Sequence, residues 1–365
     1  MEIEDRIPLH KREQVKLRRS ALVCTFSFLN TRTLTVVAQV CREWRIVSRS
    51  PKLWRRVVLR DEKVSNQFLR RISRRCGQLG VLILENLHPR TRSNTETVEE
   101  YQSNIRCSLE NGYEQILKKA EATIHTIEVI NCGTLLSAKC LWVASCCCRM
   151  LKHVTYLSNF DPINTEVMWA LGSGCRDLKT LRCQPLLPCA RETNFTTRCS
   201  LMIGQCFKDL EILSLGGISV DISTLIYIGK QCQKLSTIEL HRMQFLTCEV
   251  IDEMCQNGLK NLKCLCLYTT PIAPGALTIL HAYCKYLDRL IIRLTEADFE
   301  TCKEQQSDST LPDYNEIVDG YEVLRKQPQF IKNMILDVET PSKYIKKETV
   351  EKPEKETSFF ERWFK

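Results

Sequence analysis

The strongest constraint on the fold of this chain is a leucine-rich spacing that recurs along most of its length. Each copy places apolar residues at positions i, i+3 and i+5, and a cysteine often lies three residues before the first. From residue 124 to residue 287, successive copies begin 25 to 32 residues apart. A nearly constant period in this range is typical of a leucine-rich-repeat solenoid. The copies begin at Leu79, Ile124, Leu151, Leu178, Leu210, Leu235, Leu262, Leu287 and Ile331.

Each copy predicts one short strand followed by one helix. Alternate side chains of a strand point to opposite faces, so the spaced apolar residues face the interior. After the strand that contains Leu215, residues Leu225, Ile228 and Cys232 recur at helical spacing. Because crossovers between parallel strands are right-handed, the units are expected to stack into a curved array with one long concave surface.

The high cysteine content has a packing explanation. The chain has 21 cysteines in 365 residues, and several of them recur at one position of the repeat, as expected of a small buried hydrophobe. The first residues lack the apolar core of a secretory signal, so reduced thiols and a cytoplasmic location are expected, with the nucleus as an alternative. No two cysteines have C-x-x-C spacing, and we predict neither a metal site nor a cofactor.

Charge and composition divide the chain into segments. Residues 1–75 carry 19 Lys and Arg against 7 Asp and Glu, so this part is strongly basic. We predict a flexible basic lead-in over 1–16, a compact helical domain over 17–60, a solenoid over 65–338, and a disordered charged tail with an aromatic end over 339–365. Polar stretches at 88–104, 184–199 and 300–315 interrupt the period and predict loops. No apolar run reaches the roughly 18 residues that a membrane span needs.

The helical domain carries a recognisable motif. Phe26 and Leu29 are followed by Val40-Cys41-Arg-Glu-Trp44 and then by Pro51-Lys-Leu53-Trp54. This combination resembles an F-box, a three-helix segment that docks on the Skp linker protein of a cullin ubiquitin ligase. One departure is that Leu17 is followed by Arg18, where the family usually has Leu-Pro. The resemblance implies a linker-binding surface made of Leu17, Leu22, Phe26, Leu29, Leu34 and Val37, and a domain core made of Val40, Cys41, Trp44, Leu53 and Trp54.

An F-box followed by leucine-rich repeats resembles the substrate receptors of these ligases. The predicted fold class is therefore α/β, with an N-terminal three-helix F-box followed by a leucine-rich-repeat solenoid. The resemblance implies a non-catalytic subunit that joins the Skp linker and a cullin scaffold to a protein substrate. The sequence also shows no Walker loop, no G-x-G-x-x-G and no H-E-x-x-H motif. An alternative is a repeat scaffold whose basic N-terminus binds nucleic acid or an acidic partner outside ubiquitination, although nucleic acid is the weaker of these partners.

The substrate is expected on the concave face, where residues between the repeat leucines point outward. The row mixes histidines, an aromatic ring and charged groups. Arg289 and Arg293 are predicted to pair together with an acidic or phosphorylated segment. The predicted substrate-binding residues are His153, Arg182, Glu239, His241, Tyr268, Arg289 and Arg293.

Overall fold

The computed structural model describes residues 9–338, apart from 187–188, 190, 218, 307–311 and 328–329. Three helices at the N-terminus are followed by alternating strands and helices. The strands are β1 Arg56–Arg60, β2 Val81–Glu85, β3 Thr126–Ile130, β4 His153–Leu157, β5 Thr180–Arg182, β6 Ile212–Gly216, β7 Thr237–His241, β8 Cys264–Tyr268, β9 Arg289–Leu294 and β10 Asn333–Val338.

The first three helices form the N-terminal domain, and most of the later helices pack side by side along the array. They are α1 Leu9–Phe26, α2 Thr31–Val37, α3 Arg42–Ser48, α4 Asn66–Ser73, α5 Val98–Ile105, α6 Glu110–Ala120, α7 Lys139–Cys147, α8 Thr165–Gly174, α9 Thr197–Cys206, α10 Ser223–Gln231, α11 Cys248–Asn257, α12 Pro274–Tyr283, α13 Glu296–Gln306 and α14 Tyr314–Arg325. Short 3-10 turns lie at Pro51–Trp54 and Glu192–Asn194.

All ten strands form one parallel sheet in chain order, from β1 to β10. The pairing keeps the repeat in register, because Leu213 lies beside Ile238 and Ile238 beside Leu265. The inward-facing residues of these strands are buried. The prediction of a leucine-rich-repeat solenoid behind a helical N-terminal domain is confirmed.

Several strands end on a residue in the left-handed region, which is most accessible to asparagine and aspartate among side chains with a Cβ. Asp61, Asn86 and Asn131 have φ values of 51°, 49° and 49°. The Asn86 amide donates to Asp61 at 3.0 Å, and the Asn131 amide donates to Asn86 at 3.0 Å. This ladder of side chains links the ends of the first three strands.

The recurring cysteines close the helices of several repeat units. Cys175, Cys232 and Cys284 are the C-caps of α8, α10 and α12, and all three are buried. The Cys232 thiol donates to the carbonyl oxygen of Phe207, the C-cap of α9, at 3.3 Å. Cys175 donates in the same way to the carbonyl oxygen of Cys148 at 3.5 Å. A small side chain with a weak S–H donor therefore suits this position, and none of the 21 cysteines forms a disulfide.

The solenoid begins earlier than predicted. Strand β1 at Arg56–Arg60 pairs with β2, so the sheet starts inside the segment assigned to the helical domain. The first unit has Trp54, Val57 and Leu59 at positions i, i+3 and i+5, and all three are fully buried. This copy of the repeat was not predicted because Trp54 takes the place of its first leucine. Helix α1 begins at Leu9, so the second half of the predicted lead-in is helical.

Two predicted loops contain helices. Helix α5 begins at Val98 within 88–104, where Thr97 and Glu100 form a capping box. Helix α13, at Glu296–Gln306, extends into the segment 300–315, and Cys302 on this helix is buried, although the loop assignment would expose it. Both segments have many polar residues because one face of each helix is exposed. The predicted tail from residue 339 lies outside the described residues.

Candidate functional site

The helical domain is held together by an aromatic contact between its first and third helices. The rings of Phe26 in α1 and Trp44 in α3 meet edge to face, with centroids 5.3 Å apart and planes at 75°. This geometry is favoured by the ring quadrupoles. Arg18 of α1 forms a 2.6 Å ion pair with Glu43 of α3. The residue that departs from the usual Leu-Pro opening therefore contacts the third helix.

Local capping explains where the second and third helices begin. The Asn30 side chain accepts a hydrogen bond from the Thr33 amide at 2.8 Å and caps α2. The Cys41 thiol accepts from the Trp44 amide at 3.4 Å and caps α3. The prediction that Val40 and Cys41 belong to the domain core is wrong. Both are exposed, because Val40 lies in the turn between the helices and Cys41 in the cap.

The domain and the solenoid share a junction at Trp54. Its indole nitrogen donates to the carbonyl oxygen of Ser48 at 2.7 Å, and the Arg75 guanidinium lies 5.0 Å from its ring centroid. The buried Thr31 hydroxyl of α2 accepts from the Val58 amide of β1 at 3.1 Å. The structure also buries Leu53. The helical domain is therefore the cap that covers the first solenoid unit.

Half of the residues predicted to bind the Skp linker lie in the interior of the helical domain. Phe26, Leu34 and Val37 are buried, so they cannot contact a partner without a rearrangement of the domain. Leu22 and Leu29 are half-buried and pack against the core. Leu17 is exposed. Helical spacing identified a true apolar face, but that face packs on the other helices and on β1.

A different group of apolar side chains points to solvent. Six of the 14 large apolar side chains that are exposed in the described residues lie between Val15 and Ile46. Phe28 is 84% exposed and Val40 61% exposed. We call Phe28, Val36, Val40 and Ile46 the F-box apolar set.

Sequence reasoning predicted none of these four residues at the surface, and it placed Val40 in the domain core, although the sequence contains a signal for two of them. Val36-Val37 and Ile46-Val47 are adjacent apolar pairs in helices, and consecutive residues of a helix point about 100° apart. Val37 and Val47 take the buried positions, so their neighbours face outward. Contiguous exposed apolar patches mark interaction sites, and these four residues are the candidates for such a patch on this domain.

The concave face of the solenoid carries rows of side chains from neighbouring strands. The register aligns Glu128, Thr155 and Arg182 across β3 to β5 and continues through Ser214 and Glu239. We call these five residues, together with Cys266 of β8, the central row. The predicted site residues Arg182 and Glu239 belong to it. His153 lies two positions earlier on β4, where its Nδ1 is 3.0 Å from the Thr180 hydroxyl.

Arg182 and Glu239 form the strongest polar contact of the central row. The guanidinium donates to both carboxylate oxygens, at 3.1 and 3.0 Å, across the intervening strand β6. Burial is the largest single effect and lowers the pKa of Arg182, but the hydrogen bond to Glu239 and the negative charges of Glu239 and Glu128 together outweigh it, so that this pKa is raised. Burial also raises the pKa of Glu128, although Arg56, Arg60 and Arg182 oppose this effect. Arg182 is therefore fixed by Glu239 in the absence of a substrate.

Towards the C-terminal end, three predicted site residues form a continuous stack. The rings of His241 and Tyr268 are nearly parallel, with centroids 4.6 Å apart. The Arg293 guanidinium lies 5.7 Å from the centroid of Tyr268, and its Nε is 3.2 Å from Asp337. Burial lowers the pKa of His241 to about 4, so this ring is neutral at physiological pH. The stack presents an aromatic surface edged by one arginine.

The two arginines of β9 do not act as one pair. Arg289 and Arg293 are four residues apart on an extended strand, with Ile291 between them. At about 3.3 Å per residue their Cα atoms are roughly 13 Å apart, too far to favour a shared bidentate contact with one group. The prediction that both arginines contact an acidic or phosphorylated segment therefore needs a segment long enough to reach both positions. Each would contact a different part of a ligand.

In the described ranges, no three His, Cys, Asp or Glu side chains gather closely enough to hold a metal ion. Among those residues, none of the helices combines the length and apolarity that crossing a bilayer requires.

Comparisons with known proteins agree with the domain order. Residues 19–60 match the F-box-like family model. The chain is 39% identical to F-box only protein 41 of Mus musculus and of Homo sapiens over 321 residues, which are 88% of this chain. It spans only 36% of the length of those relatives.

Two solved structures align with about 70% of this chain at low similarity. A chain of the yeast Rad7 and Elc1 complex aligns with a TM-score of 0.43 and 16% identity over 70% of each chain. The leucine-rich repeat-containing protein LegL7 from Legionella pneumophila aligns with a TM-score of 0.36 and 11% identity, over 71% of this chain and 83% of LegL7.

The helical domain matches an F-box-like family model, and the parallel-strand array behind it has the architecture of a leucine-rich-repeat solenoid. Over most of its length the chain is homologous to F-box only protein 41.

Proposed function

We propose that this chain is the substrate-recognition subunit of a Skp–cullin–F-box E3 ubiquitin ligase. The observation that carries the proposal is the F-box apolar set, which stays exposed on a domain whose own core is complete. An F-box-like match over residues 19–60 supports a Skp-type linker as the partner for that surface. The chain's role is binding, and the ubiquitin chemistry belongs to other subunits. Its reduced thiols are consistent with our proposal of a cytoplasmic or nuclear location.

The test is reconstitution from purified components. The chain is mixed with the Skp linker and the linker-binding part of a cullin, and complexes are separated by size. A stable ternary complex is expected to form and to persist in moderate salt, because the proposed contact is apolar. If the chain does not bind the linker but retards DNA in a gel in a salt-dependent manner, the result would favour the alternative of a repeat scaffold with a nucleic-acid-binding basic N-terminus.

The concave face supports capture of a protein segment as the second half of the proposed function. Its C-terminal part offers the aromatic stack of His241 and Tyr268, with Arg289 and Arg293 at separate positions. Aromatic rings and arginines are the residues that most often dominate protein interfaces. We propose that an acidic protein segment lies across β7 to β9, with its anionic groups at the two arginines.

Charge reversal provides a matched test of this surface. An Arg289→Glu, Arg293→Glu double variant should recover fewer ubiquitinated substrates from cells while it retains the Skp linker. The control is Arg149→Glu, Arg176→Glu, which makes the same charge change at exposed turns after α7 and α8. Equal substrate recovery by both double variants would move the substrate site away from β9. Loss of the linker in either variant would indicate misfolding instead.

A further inference from the structure

Two thiols lie side by side on the concave face. Cys264 and Cys266 occupy alternate positions of β8, while Leu265 and Leu267 between and beyond them are buried. Residues two apart on a strand share one face, so both thiols point to the concave side. Their sulfur atoms are 3.7 Å apart. This pair therefore differs from the helix-capping cysteines, which serve the packing of the repeat.

The surroundings distinguish the two sulfurs. Cys264 is partly exposed and Cys266 is buried, so a small oxidant reaches Cys264 first. Arg289 lies beside Cys264 in the register of β8 and β9. The hydrogen bond with Cys266 lowers the pKa of the Cys264 thiol and Arg289 lowers it further, whereas burial and the carboxylates of Glu239 and Asp288 oppose them. A partly exposed thiol that is stabilised as the thiolate by a nearby cation has the features of a reactive cysteine.

We propose that Cys264 and Cys266 form a peroxide-sensitive dithiol on the concave face, in which Cys264 is oxidised first and Cys266 resolves it to a disulfide. A low-pKa, accessible thiol next to a resolving cysteine is the arrangement that redox-sensing cysteines share. The oxidant is a hydroperoxide. The inference rests on the geometry of β8 and does not depend on the ubiquitin-ligase assignment.

The reaction proceeds in two steps. The Cys264 thiolate attacks one peroxide oxygen, the O–O bond breaks, and a sulfenic acid forms while the departing hydroxide takes up a proton to become water. The Cys266 sulfur then attacks the sulfenic sulfur, the S–O bond breaks, and a second water leaves with the Cys266 proton. The two thiols lose two electrons and the peroxide gains them. The sulfurs must approach from 3.7 Å to about 2.0 Å, which requires rotation of both side chains and a local shift of β8.

A second thiol pair in the same protein provides an internal control. Cys255 of α11 interacts with Cys284, the C-cap of α12, through a hydrogen bond between their side chains. Both residues are 2% exposed beneath the helix layer. If proximity alone sufficed, both pairs would oxidise. If accessibility and the Arg289 charge matter, only the β8 pair should react.

The experiment treats the folded, reduced full chain with a small excess of hydrogen peroxide, alkylates the remaining thiols and maps the peptides by mass spectrometry. A disulfide between Cys264 and Cys266 that dithiothreitol reverses is expected, with Cys255 and Cys284 still alkylated after unfolding. In Cys266→Ser, dimedone should label a sulfenic acid at Cys264. In Cys264→Ser, Cys266 should stay unlabelled. Serine preserves the size of both side chains, and an unchanged melting temperature shows that each variant is folded.

Two results would overturn the proposal. One is that both β8 thiols of the wild-type protein stay reduced at peroxide concentrations that oxidise its exposed Cys146. The other is that Cys255 and Cys284 oxidise as readily as the β8 pair, because the reaction would then report only the distance between two sulfurs.

Discussion

The indole nitrogen of Trp54 donates a 2.7 Å hydrogen bond to the carbonyl oxygen of Ser48, the last residue of α3. Trp54 is also the first apolar position of the first solenoid unit, aligned three residues before Val57 of β1. The Trp54 side chain therefore contacts the third helix of the F-box and also fills the first apolar position of the solenoid. The two parts should behave as one cooperative unit.

Replacement of Trp54 by alanine tests this coupling. The change leaves a large cavity at the junction, and such changes typically cost about 3–5 kcal/mol of unfolding free energy. Denaturant unfolding, followed by far-ultraviolet circular dichroism, measures the loss. The control is Trp169→Ala on α8, where the side chain is 59% exposed and the cost should stay within about 0.5 kcal/mol. Equal effects of the two substitutions would argue against a structural junction at Trp54.

The Arg182–Glu239 contact predicts a measurable coupling energy. Single variants Arg182→Gln and Glu239→Gln each leave one charge without its bidentate partner, and each should lose about 1–3 kcal/mol of unfolding free energy. The double variant should lose less than the sum, because the neutral side chains can still pair. The more exposed Lys234–Asp209 pair is the comparison, with an expected coupling below about 1 kcal/mol. Strict additivity at Arg182 and Glu239 would show that the contact contributes nothing to stability.

His241 predicts a dependence of stability on pH. Burial lowers its pKa to about 4, whereas an unfolded histidine titrates near 6.5. As the pH falls from about 6.5 to 4, the unfolded chain takes up a proton that the folded chain does not, so the unfolding free energy decreases, by up to about 3 kcal/mol. His241→Phe preserves a ring against Tyr268 and cannot titrate. The difference in unfolding free energy between this variant and the wild type should change in favour of the variant as the pH falls from about 6.5 to 4, and it should be constant above about pH 7. A parallel pH profile for the two proteins would contradict this account.

The helix-capping thiols predict a pattern of alkylation. Burial raises the pKa of Cys148 and Cys175 to about 12 and that of Cys232 to about 11, so little thiolate exists near neutral pH. Brief treatment of the native protein with iodoacetamide should spare these three and the buried Cys284 and Cys302. It should label the exposed Cys24 and Cys146. Rapid modification of all the buried thiols would contradict the packing role that the repeat assigns to them.

Much of the solenoid was predictable because its spacing repeats. Nine of its ten strands follow copies of the pattern, and each copy reinforces the next through the shared register. The strand at Arg56–Arg60 escaped notice because Trp54 replaces a leucine. Strand alternation also identified the outward positions of the concave face. Strand alternation does not predict which side chains pair with one another, and the pair of Arg182 and Glu239, which spans the intervening strand, was therefore not predicted.

The docking surface of the F-box was harder to predict for a physical reason. Apolar spacing identifies the face of a helix that becomes buried, but it does not distinguish burial within the chain from burial against a partner. Phe26, Leu34 and Val37 follow the spacing because they build the domain itself. Phe28 and Val36 fall outside it because they remain in solvent. The proposed binding surface of this helical domain is therefore made of exposed apolar residues that do not follow the helical spacing.

The affinity of the Skp linker for surface variants of the F-box tests the central claim most directly. Burying a phenylalanine contributes about 1.5–3 kcal/mol, so Phe28→Ala should weaken binding by roughly tenfold to a hundredfold, and adding Val40→Ala should weaken it further. The control is Trp169→Ala, which removes an exposed aromatic side chain far along the chain, on α8. Calorimetry should give unchanged affinity for the control and a large loss for the F-box variants at unchanged melting temperature. Wild-type affinity in the Phe28, Val40 double variant would contradict the proposed docking surface.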